Sequence, residues 1–314
     1  MDVTVVGAGI SGLTTAVRLL EAGHRVRVVA AGPTSASTSS LAAAVWFPTH
    51  VGPPDRVLDW GARTYTELAL QARSGVPGVV MRESLALYRR PPGQPDWAAA
   101  VGGVRPAPAA ELPPGYDYGL RFVVPLVEMP LYLPWLVARV AALGGTMIDR
   151  RIAALDDVAG ETAAVINCTG LAARELAADP SVHPVRGQIV RVSNPGLTVS
   201  VRDESHPDGR AYVHPRTTDC ILGGTLDENE WDTRVDPEAA AAIVRRCRDI
   251  VPALATATVL EHIVGLRPAR PTVRLEESAP ARGGARILHN YGHGGSGITL
   301  SWGCATDLVA LVGS

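Results

Sequence analysis

Residues 3–20 read VTVVGAGISGLTTAVRLL, and this stretch decides how the fold begins. The β-branched run at 3–6 predicts a buried strand, the glycine-rich residues 7–12 predict a tight turn, and the apolar spacing that follows predicts a helix. Gly23 ends that helix, and residues 25–29 (RVRVV) predict a second strand. Together these elements make a βαβ unit of about 30 residues, so the chain begins as a Rossmann-like fold.

The glycine-rich turn carries a definite chemistry. Residues without a side chain let the backbone approach a pyrophosphate, and the amide groups at the start of the next helix stabilise its negative charge. The motif predicts a dinucleotide site formed by Gly7, Ala8, Gly9, Ile10, Ser11 and Gly12. The acid usually found at the end of the second strand, where it binds the adenosine ribose, is replaced by Ala30 and Ala31. This departure argues more against a nicotinamide cofactor that must dissociate than against a flavin that stays bound.

A second glycine-rich segment, residues 289–299 (HNYGHGGSGIT), lies just before the last predicted helix. Its glycines allow a loop to press against a flat ring, and the start of the helix beyond it can stabilise negative charge on the edge of a flavin. A nicotinamide-dependent enzyme needs no such second site near the end of its chain. The two glycine segments together favour FAD as the cofactor.

The composition is that of a globular protein with a small-molecule partner. The chain has 314 residues, enough for about two domains, and 46% of them are hydrophobic and 19% charged. All 29 Lys and Arg positions are arginines, which excludes Schiff-base, pyridoxal-phosphate and Walker-type chemistry because each needs a lysine amine. A net charge of −2 indicates neither nucleic acid nor an anionic membrane as a partner.

The cysteines and the start of the chain add further expectations. Cys168, Cys220, Cys247 and Cys304 form no C-x-x-C motif, and no H-E-x-x-H motif occurs, so no metal site is predicted. Reduced, buried thiols are expected instead. The first residues lack the basic region of a signal peptide, and a soluble, cytoplasmic protein is expected. Whether it forms a homodimer stays open at this stage.

The rest of the chain alternates between two kinds of pattern. Predicted helices lie near 55–74 and at 131–143, 237–250 and 298–312, and predicted strands at 146–152, 163–168, 187–193, 197–202, 210–215, 219–225 and 286–290. From residue 47 to about residue 140 the chain is rich in Pro and Gly, including the stretch 91–114, and apart from the helix near 55–74 it predicts irregular structure. We therefore expect an α/β protein with a Rossmann-like FAD-binding domain and an inserted α+β substrate domain on a mainly antiparallel sheet. The FAD-binding domain would comprise 1–50, 140–183 and 265–314, and the substrate domain 51–139 and 184–264.

Several short stretches spread along the chain form one combined signature. They are VTVVGAGISGLTTA at 3–16, AAAVWFP at 42–48, VINCTG at 165–170, VRGQIVRV at 185–192, AYVHP at 211–215, LGGT at 222–225, GLRPARPTVRLE at 265–276 and HNYGHGGSGIT at 289–299. In this order and combination they resemble the D-amino-acid oxidase family of flavoproteins. The resemblance covers nearly the whole chain, and the last two stretches are its most specific part.

The resemblance implies an activity and an anchor for its substrate. Arg267 would form a two-point ion pair with the substrate carboxylate, Tyr212 would donate a further hydrogen bond to it, and the carbonyl of Gly295 would accept one from the amino group. Held in this way, only one enantiomer turns its α-hydrogen toward N5 of FAD. The implied reaction is hydride transfer from Cα of a D-amino acid to N5. Hydrolysis of the imino acid then gives a 2-oxo acid and ammonia, and dioxygen reoxidises the flavin to give hydrogen peroxide.

The resemblance also implies further cofactor and pocket residues. The added cofactor contacts are Ser39, Ser40, Ala43, Ala44, Arg274, Gly294, Gly297, Ile298 and Thr299. The pocket for the substrate side chain would be lined by Val45, Phe47, His214 and Ser296. Asp208 stands about where some members carry a tyrosine on an active-site lid, so a closing lid is expected to be reduced or absent.

Neutral, apolar D-amino acids are the expected substrates, because Phe47 favours apolar side chains, and three alternatives stay open. A D-aspartate oxidase needs a second cation beyond Arg267, and Arg216, beside His214, is the candidate. A nicotinamide-dependent dehydrogenase would use only the first βαβ unit. A flavin-binding protein without catalysis would be yellow but inert to every D-amino acid.

Overall fold

The computed structural model describes residues 1–48 and 51–313, and in that part of the chain it has two sheets. The strands are β1 (Asp2–Val6), β2 (Arg25–Ala30), β3 (Val79–Tyr88), β4 (Arg105–Pro106), β5 (Tyr118–Val127), β6 (Thr146–Asp149), β7 (Ala164–Asn167), β8 (His183–Ser193), β9 (Ser200–Asp203), β10 (Ala211–Pro215), β11 (Asp219–Gly223), β12 (Asp227–Glu228), β13 (Val259–Ala269), β14 (Arg274–Ser278) and β15 (Arg286–Tyr291). The α-helices are α1 (Ile10–Glu21), α2 (Pro54–Arg73), α3 (Met129–Ala142), α4 (Asp156–Ala159), α5 (Ala173–Leu176), α6 (Pro237–Ile250) and α7 (Gly297–Gly313).

The smaller sheet holds six strands in the order β14–β15–β7–β1–β2–β6, all parallel except β14. Helices α1, α3 and α7 cover one face, where Val3, Val5 and Leu13 are buried. Its central strands are apolar throughout because a parallel sheet between two layers is buried on both faces. The predicted βαβ start is confirmed, since β1 and β2 pair in parallel across α1.

The larger sheet holds nine strands in the order β12–β8–β11–β10–β9–β3–β5–β4, with β13 also paired to β8. All its pairs are antiparallel except β3 with β9. Helix α6 packs on it, and Asp236 caps that helix by accepting from the backbone nitrogens of Glu238 (2.8 Å) and Ala239 (3.1 Å). The predicted fold class, with its mainly antiparallel second sheet, is confirmed.

Three long strands lie where the sequence did not predict them. Strands β3 and β5 fall in the region expected to be irregular, and they pair with each other along their whole length. Strand β13 covers 259–269, whose proline and charged residues hide the strand pattern. The predicted domain boundary at residue 265 falls inside β13, although the division into domains itself stays a prediction.

The last helix forms part of the core. By length and composition the segment Gly294–Gly313 is apolar enough to cross a membrane, yet 61% of its most apolar window is buried inside the fold. It packs against α1 and α2, and Gly303 allows the approach because a Cβ there would lie 2.3 Å from the carbonyl oxygen of Trp60. The cysteines are all buried and unpaired.

Candidate active site

A cavity of about 590 Å³ lies between the carboxyl ends of the parallel strands and the larger sheet. Most residues of the first glycine turn, of the segment 29–47 and of the loop before α7 line one part of it. Residues of β8, β9, β10 and β13 line the other part. Both glycine segments singled out in the sequence therefore border one cavity.

Close packing explains the first glycine turn. Gly7 has φ +109°, and a Cβ on it would lie 2.4 Å from the carbonyl oxygen of Cys168. A Cβ on Gly12 would lie 1.9 Å from the carbonyl oxygen of Gly7. Only glycine fits at either position, so α1 can begin directly against the ends of β1 and β7. Gly9, at the start of α1, has no side chain to cap the helix, and no acid stands in its first turn, so the positive end of the helix dipole faces the cavity.

A serine hydroxyl stands at the start of α1. The backbone nitrogen of Ile10 donates to Oγ of Ser39 at 3.0 Å, and both residues line the cavity. Oγ of Ser39 would lie only 3.1 Å from a Cβ on Gly9. Because the hydroxyl accepts from Ile10, its own proton is free to donate to a phosphate oxygen.

The end of β2 is small and uncharged. Ala30, Ala31 and Gly32 line the cavity there. The carboxylate of Asp149, at the end of the neighbouring strand β6, accepts from the backbone nitrogen of Gly32 at 3.0 Å. Arg150 also lines this part of the cavity.

The second glycine loop brings an unpaired polar atom to the cavity. His293 is 3% exposed and lines the cavity, and its Nε2 has no hydrogen-bond partner among the described residues. Its Nδ1 lies 3.5 Å from Oγ of Ser11 on the first glycine turn. Burial lowers the pKa of His293 to about 4, so the ring is neutral at physiological pH. A buried ring nitrogen without a partner suits a bound group that supplies one.

Arg267 lies flat against the larger sheet. It stands on β13, and a Cβ on Gly187 of β8 would lie 2.2 Å from its Nη1. Nη1 donates to the carbonyl oxygen of Thr225 at 3.2 Å. Gly295 is adjacent, since a Cβ on it would lie 3.4 Å from Cδ of Arg267. The predicted carboxylate anchor and the predicted amino-group acceptor are thus brought together at the cavity.

Tyr212, like Arg267, lies over a glycine of the neighbouring strand. It pairs with Gly223 across β10 and β11, and a Cβ on Gly223 would lie 2.0 Å from Cζ of the tyrosine. Burial raises the pKa of Tyr212, with the charge of Arg267 acting in the opposite direction, so its hydroxyl stays protonated and can donate. The ring stacks on His214 with centroids 4.8 Å apart. Burial, helped by the charge of Arg202, lowers the pKa of His214 well below its usual value.

Comparisons with known proteins identify the family. Residues 2–311 match the family model described as FAD dependent oxidoreductase. The chain is 51% identical to a D-amino-acid oxidase of Rubrobacter xylanophilus (99% of this chain, 95% of the relative) and 45% identical to one of Streptomyces coelicolor (99% and 96%). The chain belongs to the D-amino-acid oxidase family of FAD-dependent oxidoreductases. It is also 36% identical to human D-aspartate oxidase (99% and 94%).

Solved structures of related flavoenzymes share the fold. Glycine oxidase from Geobacillus kaustophilus superposes with a TM-score of 0.78 at 22% identity, covering 99% of this chain and 94% of that one. L-α-glycerophosphate oxidase from Mycoplasma pneumoniae, solved with FAD bound, gives 0.77 at 16% identity (100% and 94%). The cofactor of this oxidase-family chain is FAD, and the glycine cradle, the start of α1 without an acid and the unpaired nitrogen of His293 fit it.

Most residues predicted for the site line the cavity. They are Gly7, Ala8, Gly9, Ile10, Ser11, Ser39, Ala43, Ala44, Val45, Phe47, Tyr212, His214, Arg267, Gly294, Gly295, Gly297 and Ile298. Their individual roles stay predictions.

Some predicted contacts lie outside the cavity lining. Gly12 packs under the turn, the hydroxyl of Ser40 lies 2.7 Å from the carbonyl oxygen of Ser37, and Oγ1 of Thr299 accepts from the backbone nitrogen of Phe47 at 3.0 Å. Ser296 is buried in the loop before α7. These residues support the walls of the cavity.

Arg274 and Arg216 also differ from their predicted positions. Arg274 was expected beside the flavin, but it does not line the cavity and its guanidinium donates to the hydroxyl of Tyr291 (2.7 Å) and to Glu276 (2.7 Å). Arg216 was the candidate second cation, but it is paired with Asp219 at 2.5 Å and 2.7 Å and is likewise outside the lining. In both cases a carboxylate two or three residues further along the chain pairs with the guanidinium.

The sequence missed a cation in the substrate pocket. Arg202 on β9 lines the cavity and is 5% exposed, its Nε has no hydrogen-bond partner, and no ion pair with a described carboxylate involves it. Its guanidinium lies 3.8 Å from the ring centre of Phe47. Burial lowers its pKa, yet a guanidinium remains protonated at neutral pH. An arginine on a strand usually faces solvent, so the sequence gives little sign that Arg202 is buried. The one available signal is the strand pattern of residues 199–203 (VSVRD), in which Arg202 stands between two other strand residues.

The segment after Arg202 is short. Residues 204–210 join β9 to β10, and Asp208 lies outside the cavity lining. Glu204 and Arg210 do line it, and their charged groups are 3.5 Å apart. A charged pair therefore stands where a lid residue was considered.

Proposed function

We propose that this protein catalyses the FAD-dependent oxidative deamination of D-amino acids, with dioxygen as the electron acceptor and hydrogen peroxide as a product. The observation that carries the proposal is the meeting of Arg267, Tyr212 and the loop of Gly295 at one cavity, which also contains the dinucleotide cradle. The relatives named D-amino-acid oxidase support it. When bound, FAD accepts the hydride that leaves Cα of the substrate.

The residues of the chain orient the substrate. The guanidinium of Arg267 offers two parallel donors to a carboxylate, and the protonated hydroxyl of Tyr212 offers a third. The carbonyl of Gly295, next to Arg267, accepts from the amino group. With carboxylate and amine fixed, the Cα–H bond of one enantiomer points to the cofactor side, and the chain needs no base at Cα.

The pocket supports a preference for neutral, apolar side chains. Val45 and Phe47 contribute apolar surface, and the ring of Phe47 covers one face of the Arg202 guanidinium. The proposal is tested by peroxide formation from the FAD-loaded protein with D-valine, D-methionine and their L-enantiomers. We expect peroxide from the D-forms alone; peroxide from the L-forms, or from neither, would overturn the assignment.

Oxidation of D-aspartate is the second candidate, and Arg202 is the observation that favours it. The buried guanidinium of Arg202 forms no ion pair with a carboxylate of the described residues, although the charge of Glu204 acts on it, and it can bind a side-chain carboxylate of the ligand. Human D-aspartate oxidase is among the relatives. Arg216, already paired with Asp219, is not available for this role.

We predict that Arg202→Leu separates the two candidates. If Arg202 binds the side chain, the substitution lowers kcat/KM for D-aspartate about tenfold or more while kcat/KM for D-valine changes less than about threefold. Arg216→Leu is the control for loss of an arginine outside the pocket and should not alter the ratio between the two substrates. An unchanged ratio in Arg202→Leu would leave the neutral preference without this second activity.

A further inference from the structure

A buried carboxylate outside the cavity lining joins the two halves of the site. Asp179 is 7% exposed and lies in the turn between α5 and β8. It was not singled out by any sequence motif. It is placed where the end of β13, the end of β15 and the approach to β8 meet.

Asp179 receives hydrogen bonds from three directions. One oxygen accepts from the hydroxyl of Tyr291 at 2.8 Å and from Nε of Arg270 at 2.9 Å. The other accepts from the backbone nitrogen of Ser181 at 3.1 Å and from its hydroxyl at 2.5 Å. Burial alone would raise the pKa of Asp179, but these donors and the charge of Arg270 lower it to about 2. The carboxylate is therefore ionised at any physiological pH.

The partners of Asp179 belong to different sheets. Arg270 follows β13 of the larger sheet and stands three residues after Arg267, the proposed carboxylate anchor. Tyr291 ends β15 of the smaller sheet and leads into the loop 292–297, which borders the cofactor part of the cavity. Asp179 thus bonds both sheets at the points where each enters the site.

A direct contact strengthens this junction. Gly292 has φ +83°, and a Cβ on it would lie 2.8 Å from Cβ of Arg270, so the loop passes tightly under that side chain. Arg274 donates to the hydroxyl of Tyr291 at 2.7 Å and lies 3.7 Å from Asp179. Arg274, displaced from its predicted place beside the flavin, acts on the same junction.

We infer that Asp179 is a positioning residue: it sets the distance between Arg267, which anchors the substrate carboxylate, and the loop 292–297, which borders the flavin. The inference rests on the proposed function. Loss of the negative charge leaves Arg270 and Arg274 without their shared partner and frees Tyr291, so the loop can shift against β13. A displacement of about 1 Å between substrate and cofactor is enough to slow a transfer reaction about a hundredfold.

The test compares Asp179→Asn with Asp203→Asn in the FAD-loaded protein. Asp203 is a matched control, because it is 1% exposed and accepts from Tyr116 (2.7 Å), Arg89 (2.7 Å) and Ser205 (2.8 Å), a similar donor set outside the loop 292–297. Both variants lose a buried, ionised carboxylate. The measurements are the unfolding temperature, the rate of anaerobic flavin reduction at saturating D-valine, and the flavin absorption spectrum with and without isobutyrate, a carboxylate that has no amino group.

We expect Asp179→Asn to slow flavin reduction at least tenfold and to alter the flavin spectrum, while isobutyrate still binds through Arg267 with a dissociation constant within threefold of the wild type. Asp203→Asn should lower the unfolding temperature by about as much as Asp179→Asn does. It should change the rate of flavin reduction by less than threefold. Equal rates in Asp179→Asn and wild type, or equal losses in both variants, would overturn the inference.

Two further outcomes distinguish a failure of the positioning role from a failure to fold and from a failure of the proposed function. If Asp179→Asn does not fold, Tyr291→Phe removes one donor at nearly constant volume and should slow reduction in the same direction; a wild-type rate there counts against the inference. If wild-type flavin is not reduced by any D-amino acid, the proposed function is wrong. The flavin spectrum then tests the positioning role of Asp179 by itself. An Asp179→Asn protein whose flavin bands and isobutyrate difference spectrum match the wild type overturns the positioning role.

Discussion

The guanidinium of Arg267 lies on the face of β8, where Gly187 leaves room for it, and Tyr212 lies over Gly223 in the same way. Each functional side chain is therefore paired with a glycine on the neighbouring strand. The pairing holds the side chain flat and aims its polar end at the cavity.

The residue-scale prediction concerns Arg267→Ala. The substitution removes both charge-assisted donors to the substrate carboxylate, so kcat/KM for D-valine should fall about a hundredfold or more, while FAD binding and its spectrum are retained. Steady-state kinetics and the absorption spectrum check this. Turnover near the wild-type value would remove Arg267 from its role as the anchor.

Residue identities were predictable where backbone geometry demands one residue type. Gly7 and Gly12 follow from the motif because a Cβ on either collides with backbone atoms. Arg274 and Arg202 were not predictable, because the environment of a guanidinium depends on partners far away in sequence. Arg274 donates to Tyr291, seventeen residues on, whereas Arg202 lines the cavity and forms no ion pair with any carboxylate that the structure describes.

Among the elements, β8 and β13 form the wall that carries Arg267, the proposed carboxylate anchor. They pair from Val259 to Ala269, and Gly187 on β8 stands opposite Gly265 on β13. This wall was invisible in the sequence of β13, whose residues are half-exposed at the cavity end and exposed at the other. Strands β3 and β5 were not predicted for a related reason. They are held by pairing with each other, and the sequence between them is rich in proline and glycine, which predicts loops. Helix α6, with Pro237 and the cap from Asp236, carries its own boundary signals and was predictable to the residue.

The element-scale prediction is Gly187→Ala. The new methyl group would occupy the place of the Arg267 guanidinium, which is the mobile end of a long side chain, so the strand should hold and the anchor should move. We expect KM for D-valine to rise about tenfold with little change in FAD affinity. Gly160→Ala is the control, since no described atom lies within 4 Å of a Cβ built there. Kinetics that match this control would show that Gly187 has no part in placing Arg267.

For the whole molecule, the site lies where two sheets with different roles meet. The mostly parallel sheet carries the glycine-rich cofactor cradle, which the first residues of the sequence predict, and the mainly antiparallel sheet carries the proposed substrate anchors, Arg267 and Tyr212. The fold class could be predicted because each sheet has its own periodicity. The junction through Asp179 could not, since it depends on three segments that come together only in the folded chain.

Buried histidines give the whole molecule a pH dependence. Burial lowers the pKa of His289 and His293 to about 4 and that of His214 well below its usual value. In the unfolded chain these histidines bind protons near pH 6.5, whereas in the folded chain they stay neutral. Their contribution to the free energy of unfolding is therefore fully present above pH 6.5 and is lost as the pH falls toward 4. The unfolding temperature should drop between pH 7.5 and pH 5, and a constant or rising value would contradict this. The rate of flavin reduction should show no inflection from a site histidine near pH 6.5.

We propose that FAD in this fold takes a hydride from one enantiomer only, selected by the contacts around Arg267. The most direct test is the visible spectrum of the FAD-loaded protein, recorded without oxygen before and after adding D-valine or L-valine. We expect the flavin bands to bleach with D-valine and to stay unchanged with L-valine. Bleaching by both enantiomers, or only by the L-form, would contradict it.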